Sequence, residues 1–261
     1  MLAHDLALLV DAALEAGEIA RRHFGNGPES WDKGDSQGPV SIADIEVNDM
    51  LRARLCTARP AYGWLSEETP DSAARLAPAR TFIIDPIDGT RAFLAGEHSF
   101  VHSLALAEHG AIIAAVVHAP MRAETYTASL GGGAFLNGAP LRVSTAPHLA
   151  KARILTSRAS LNAEHWAAGP PAFACHFRPS LAWRMCLVAA GQFDAMITLR
   201  PTWEWDVAAG ALMVSEAGGR VITRSLAPPR FNNPDPRLNG LLAGPLPLIK
   251  TLGAALNHAG Q

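Results

Sequence analysis

The stretch Phe82-Ile83-Ile84-Asp85-Pro86-Ile87-Asp88-Gly89-Thr90-Arg91 holds the densest chemistry in this chain. Its apolar run reads as a strand that delivers Asp85 to its carboxyl end. Pro86, without an amide hydrogen, stops the ladder. The turn then returns Asp88 toward Asp85 with the Ile87 carbonyl between them. Two carboxylates and a carbonyl are hard oxygen donors, a set that suits Mg²⁺ better than Zn²⁺. Gly89 lets backbone approach a ligand closely, and Thr90 to Leu94 reads as a short helix start whose free N–H groups can receive a phosphate. Taken alone, the same residues also fit a solvated acidic turn.

Two further acidic segments bear on that choice. Ser66-Glu67-Glu68-Thr69 follows a short apolar run, and Trp203-Glu204-Trp205-Asp206 precedes a helical pattern. Singly, Glu67 and Glu68 read as exposed loop acids, and Asp206 as either a helix N-cap or a ligand. An acid flanked by two tryptophans is costly to bury unless something positive neutralises it, and a bound cation does so. Acids brought from separate strand ends are how a two-metal site is assembled.

The elements that position these groups are legible from periodicity. Leu6, Leu9, Val10, Ala13, Leu14, Gly17 and Ala20 fall at helical spacing in a helix from Leu2 to Phe24 that stops before Gly25-Asn26-Gly27-Pro28. After a turn-rich stretch from Trp31 to Pro39, Ser41 caps a second helix with Asp44 in its first turn, running through Leu55. Gly63–Leu65 and Thr81–Ile84 read as strands, Phe100–Pro120 as a hairpin around Glu108-His109-Gly110, and Glu124–Ala128 as a further strand. Later come strands at Ile154-Leu155, Ala195–Leu199, Val221-Ile222 and Leu241–Ala243. Helices Ser180–Ala190 and Val207–Ala217 lie among them, with a final helix at the end. Hairpins first and strand–helix alternation later predict a mixed α/β sandwich. Two packed halves are expected, residues 1–145 with an antiparallel sheet and most of the acids, and 146–261 supplying Asp206 and substrate-lining residues.

Composition narrows the function classes. The 261 residues are 49% apolar and 18% charged, with a formal net charge of −2, so no basic surface serves nucleic acid. No apolar run of membrane length and no basic leader appears, which predicts an unexported, cytoplasmic protein that does not enter a membrane. Cys56, Cys175 and Cys186 are far apart and read as reduced, mostly buried thiols. Gly131-Gly132-Gly133 lacks the Lys-Ser/Thr of a phosphate loop and reads as a tight turn. His98, His102, His109 and His118 form no zinc-type spacing and read as structural or surface groups. No Gly-x-Ser-x-Gly elbow marks a serine hydrolase. The apolar hairpin from Val101 to Val117 reads as exposed, serving core or interface, and a homodimer is compatible with it.

Asp85-Pro86-Ile87-Asp88-Gly89-Thr90, the upstream Glu67-Glu68 and the downstream Trp205-Asp206-Val207-Ala208-Ala209-Gly210 resemble, in this order, the signatures of the inositol monophosphatase superfamily. The resemblance runs from the first helix to Gly219. It implies a layered α-β-α-β-α sandwich and a phosphomonoesterase that depends on two or three Mg²⁺ ions and acts on a small phosphorylated metabolite, with lithium inhibition common among relatives. Carried over, Glu67, Asp85, the Ile87 carbonyl, Asp88 and Asp206 look like metal ligands. Asp44 and Thr90 look like the pair that orients and helps deprotonate the attacking water, with Glu67 among the catalytic acids. Gly89 and Thr90 N–H groups look like the phosphate holders. The segment Pro179–Gly191 matches the substrate-lining helix of relatives, where Ser180 lines the site and Arg184 can meet a second phosphate bidentately. With the Pro201-Thr202 pair, this resembles the 3'(2'),5'-bisphosphate nucleotidase branch and ranks 3'-phosphoadenosine 5'-phosphate first as substrate. Inositol 1-phosphate ranks second and histidinol phosphate third. Arg178-Pro179-Ser180-Leu181-Ala182 and Thr198-Leu199-Arg200 depart from that branch's usual runs. From another class, a catalytically silent metal- or phosphate-binding regulator is opposed by retention of all six site residues.

Overall fold

The computed structural model describes residues 2–34, 38–145 and 148–257. Residues 35–37 of the predicted turn-rich stretch lie outside them, and the boundary expected between 145 and 146 falls at their edge. The first layer is a helix pair. Helix α1 (Leu2–His23) buries a stripe of Leu9, Ala12, Ala13, Ala16 and Ala20, small enough for close approach to α2 (Ile42–Ala58). Between the two runs a short ribbon, β1 (Ser30–Asp32) paired antiparallel with β2 (Pro39–Ser41), that the sequence reading leaves as a turn.

Under the helices lies a seven-stranded sheet in sequential order. It comprises β3 (Gly63–Ser66), β4 (Arg80–Asp88), β5 (Val101–Glu108), β6 (Ala111–Ala119), β7 (Glu124–Ser129), β8 (Gly133–Leu136) and β9 (Ala139–Pro140). Among the described residues of this sheet, the β3–β4 pair alone is parallel. Alternation sorts its residues. Phe82, Ile84, Leu104, Leu106 and Val116 face the first helix pair, whereas Ile83, Ala105, Ala115 and Val117 face the second. The predicted exposed hairpin is therefore interior. Its nearly unbroken apolar run reflects a sheet covered on both faces, not a free surface.

The second half supplies the remaining layers. Short α3 (Thr90–Leu94) follows β4, and α4 (Leu181–Ala189) and α5 (Glu204–Glu216) form the central helical layer. A five-stranded sheet in the order β11-β10-β12-β14-β13 packs beyond it, from β10 (Arg153–Leu155), β11 (Ala174–His176), β12 (Ala195–Trp203), β13 (Arg220–Thr223) and β14 (Arg237–Gly244). Helix α6 (Leu246–Ala254) closes the outside through Leu248, Ile249 and Leu252 against Ile154, Ile197 and Leu242. The layers read α-β-α-β-α, as the resemblance implies.

Particular expectations need correction. Of the three thiols only Cys186 is buried; Cys56 is half-buried and Cys175 exposed. The Gly131–Gly133 run is the tight turn expected, joining β7 to β8, and its Gly131 and Gly133 amides donate to the Glu216 carboxylate at the end of α5. Among the described residues no helix is long and apolar enough to cross a membrane.

Candidate metal centre

Strand β4 pairs with β5 up to Asp85, opposite Ser103, and again at Asp88, opposite Val101. Pro86 and Ile87 together oppose the single residue His102, so the chain bulges there. The bulge brings Asp85 and Asp88 to one side. Asp206, in the first turn of α5, comes in from the other half. Oxygens of Asp85, Asp88 and Asp206 all lie within 4.8 Å of one another.

Three carboxylates at that spacing repel one another and resist ionisation. Burial pushes Asp85 well above the ordinary carboxylate range, and the charges of Glu67, Asp88 and Asp206 push it further. Asp206 is raised well above that range too, by burial and then by Asp88 and Glu67. Asp88 is raised to about 6 by burial, held back by donors at the start of α4. Ser180 Oγ donates to its Oδ2 at 2.6 Å and the Ala182 amide at 2.7 Å. Asp85 Oδ1 is buried without a hydrogen-bond partner. Hard donors, mutual repulsion and an orphaned buried oxygen together fit a divalent cation.

A cavity of about 350 Å³ reaches the cluster at Asp85, walled also by Glu67, Ile87, Gly89, Thr90 and Pro179. Gly89 takes a φ of 107°, and a Cβ there would lie 3.1 Å from the Ser99 carbonyl, so this turn requires glycine. Thr90 Oγ1 lies 3.1 Å from both Asp44 Oδ1 and the Ile87 carbonyl. Asp44 stands at the third position of α2, where its Oδ2 reaches back to the Ser41 amide (2.9 Å) and hydroxyl (2.6 Å). Burial raises Asp44 to about 6 against the opposing effect of those bonds.

Other expected residues stand differently. Glu67 lines the cavity but not the tight cluster, and it shares with Glu68 a cation the sequence reading missed: Lys33 Nζ, at 2.7 and 2.6 Å. Burial raises Glu68 to about 7. The acid between the tryptophans, Glu204, is fully buried, yet its partners are the Asn232 and Asn233 amides and the Asn233 side chain, not the cluster. Trp203 is committed to Trp205, ring on ring at 4.7 Å. Arg184 is buried, 5% exposed. It donates Nε to the Arg178 carbonyl and lies over Phe177 at 4.5 Å. His102 and His118 are buried and held neutral by burial, to about 3 and about 4. No spacing rule could have announced Lys33, which reaches the acids only because the β1–β2 ribbon forms.

Known proteins share this arrangement of the chain. The model of the inositol monophosphatase family matches residues 1–257. An inositol-1-monophosphatase of Rhizobium meliloti (strain 1021) is 36% identical over 237 residues, covering 82% of this chain and 83% of that one. The crystal structure of the extragenic suppressor protein suhB from Bartonella henselae superposes with a TM-score of 0.82 at 30% identity, over 98% of this chain and 99% of that one. A Thermotoga maritima IMPase superposes with a TM-score of 0.80 at 28% identity, over 97% and 98%.

Proposed function

The chain belongs to the inositol monophosphatase family, a phosphatase family acting on small phosphorylated substrates, and from that premise we propose that it is a Mg²⁺-dependent hydrolase of inositol monophosphate. The observation that carries the chemistry is the convergence of Asp85, Asp88 and Asp206, from two separate halves of the sequence, with Asp85 Oδ1 left unpartnered. The inositol ester takes first place over the nucleotide because the curated relatives bear that activity in their names. That reverses the order suggested by the Arg184 and Pro201-Thr202 positions.

Asp85, Asp88, Asp206, Glu67 and the Ile87 carbonyl would hold the Mg²⁺. When bound, the cation lowers the pKa of water and offsets charge on the phosphoryl and leaving oxygens. The chain's own groups do the rest. Asp44 is the stronger acceptor available to Thr90, so the hydroxyl proton points to Asp44 and leaves the Thr90 oxygen free to accept from a water in the cavity. Because Ser41 already saturates the other Asp44 oxygen, that carboxylate cannot swing away. Gly89 and Thr90 present backbone at the cavity wall for the phosphate.

A bisphosphate nucleotidase remains the second reading, favoured by one observation. Arg184 is buried, attracted by Asp88 and Asp206, and forms no ion pair among the described residues, so its charge is available to a second phosphate. The deciding experiment measures phosphate release from inositol 1-phosphate and from 3'-phosphoadenosine 5'-phosphate, each with Mg²⁺ and with chelator. Release from the inositol ester only when Mg²⁺ is present is expected. A higher kcat/KM for the nucleotide would reverse the ranking, and no release from any phosphomonoester would favour a silent regulator.

A further inference from the structure

Behind the Asp85–Asp88 bulge stands a side chain that does not line the cavity. His102, on β5, is the lone residue opposite Pro86 and Ile87. Its Nδ1 lies 2.5 Å from the Pro86 carbonyl. A carbonyl only accepts, so Nδ1 carries the hydrogen and donates. The tautomer leaves Nε2 as a bare lone pair, and that atom is buried without a partner.

We propose that His102 is a positioning residue for the metal loop, pinning the Pro86 carbonyl toward β5 so that the Ile87 carbonyl is presented to the cavity; this rests on the reading that Asp85, Ile87 and Asp88 hold Mg²⁺. The Pro86 carbonyl and the Ile87 nitrogen share one rigid peptide plane, so a hydrogen bond that holds this carbonyl restrains the plane from which Ile87 continues. On the cavity side the Ile87 carbonyl meets Thr90 Oγ1 at 3.1 Å. At a bulge the regular ladder cannot supply the donor for the displaced carbonyl, and here a side chain does.

The imidazole is held rigidly enough for that role. It is fully buried, edge-on to Phe100 at 6.3 Å and stacked on His118 at 6.1 Å and 23°. His118 is anchored in turn, its Nδ1 2.9 Å from Thr125 Oγ1. Helix α1 closes over it at Gly17, where an added Cβ would stand 2.7 Å from His118 Nε2. An apolar residue at 102 would fill the same space without stranding a buried nitrogen, so what histidine adds there is the donor.

The test uses the full chain and reads Mg²⁺ binding by calorimetry alongside the Mg²⁺ concentration for half-maximal phosphatase activity. His102→Leu removes the donor, whereas His102→Asn places an amide N–H close to where Nδ1 stood. Removal of a hydrogen bond that orients a metal ligand is expected to weaken Mg²⁺ binding about 10- to 100-fold, with His102→Asn recovering most of it. Packing alone would instead lower thermal stability in chelator for both variants and leave Mg²⁺ affinity where it was; that result overturns the proposal, as does His102→Asn weakened as much as His102→Leu. Should the leucine variant not fold, ¹⁵N NMR of the unmodified protein decides: a hydrogen on His102 Nδ1 supports the role, and one on Nε2 overturns it. If the unmodified protein binds no Mg²⁺, the metal reading and the positioning role fall together. If it binds and the variants match it, only the positioning role falls.

Discussion

Replacing Asp85 by asparagine should stabilise the metal-free protein while abolishing its activity. Oxygens of Asp85, Asp88 and Asp206 lie within 4.8 Å of one another, so each ionised pair costs at least roughly 3 kcal/mol at an effective dielectric of about 20. Asparagine at 85 keeps the shape and removes two of the three pairs. Protonation already relieves part of this repulsion in the unmodified protein, so the net gain expected near pH 8 is about 2 kcal/mol, or roughly 4–8 °C in Tm for a chain of this size. The gain must depend on pH in one direction. The folded-state pKa of Asp85 lies above its ordinary 3.8, so above that value the folded, metal-free protein binds more protons than the unfolded chain and loses stability as pH rises. Asparagine does not titrate, and the gap between the two proteins should grow from near zero around pH 4 as pH rises. Thermal unfolding followed by circular dichroism in chelator at several pH values measures it, and repetition with Mg²⁺ should reverse the order, since only the carboxylate protein gains from the cation. A variant less stable than its parent in chelator near pH 8 would refute the reasoning, because the cluster would then not be an electrostatic burden awaiting a cation.

Two more perturbations follow from the same geometry. Thr90→Val deletes the hydroxyl poised between Asp44 and the Ile87 carbonyl, and should lower kcat by about 10²- to 10⁴-fold with little change in KM or Tm; steady-state kinetics showing a KM effect alone would argue for a binding role instead. Lys33→Met leaves Glu67 and Glu68 without their shared cation. Because the Glu68 pKa is already raised to about 7 by burial, the loss of stability in chelator should be smaller near pH 5, where Glu68 is protonated and only the Glu67 pair is broken, than near pH 8, where it should reach about 2 kcal/mol or more. Equal losses at both pH values, seen in denaturant unfolding, would assign the lysine a packing role.

How much of this was legible depended on whether a residue's partner lay nearby in sequence. The Asp85–Thr90 run stands out because strand, breaker, acid and glycine are contiguous, but Pro86 does not end the strand as read: β4 bulges there and pairs again at Asp88. The capping of α2 was equally local, Asp44 lying three residues after Ser41. Glu204, set beside Asp206, shows where a local pattern misleads. Both flank Trp205, but a helix turns 100° per residue, so acids two apart face nearly opposite ways. Asp206 turns to the cluster, while Glu204 turns to the amides of Asn232 and Asn233, a loop some thirty positions onward that no local pattern links to it. The hairpin of β5 and β6 was misread for a related reason. Its unbroken apolar run reports two covered faces, and only the tertiary arrangement of α1 and α5 says what covers them. Lys33 and His102 complete the case, for neither belongs to a recognisable motif. One becomes a counter-ion and the other a hydrogen-bond donor because the ribbon and the bulge place a carboxylate pair and a carbonyl within 3 Å of them. Sequence patterns announce the ligands of such a site, whereas the groups that neutralise and aim those ligands are selected by distance in the folded chain.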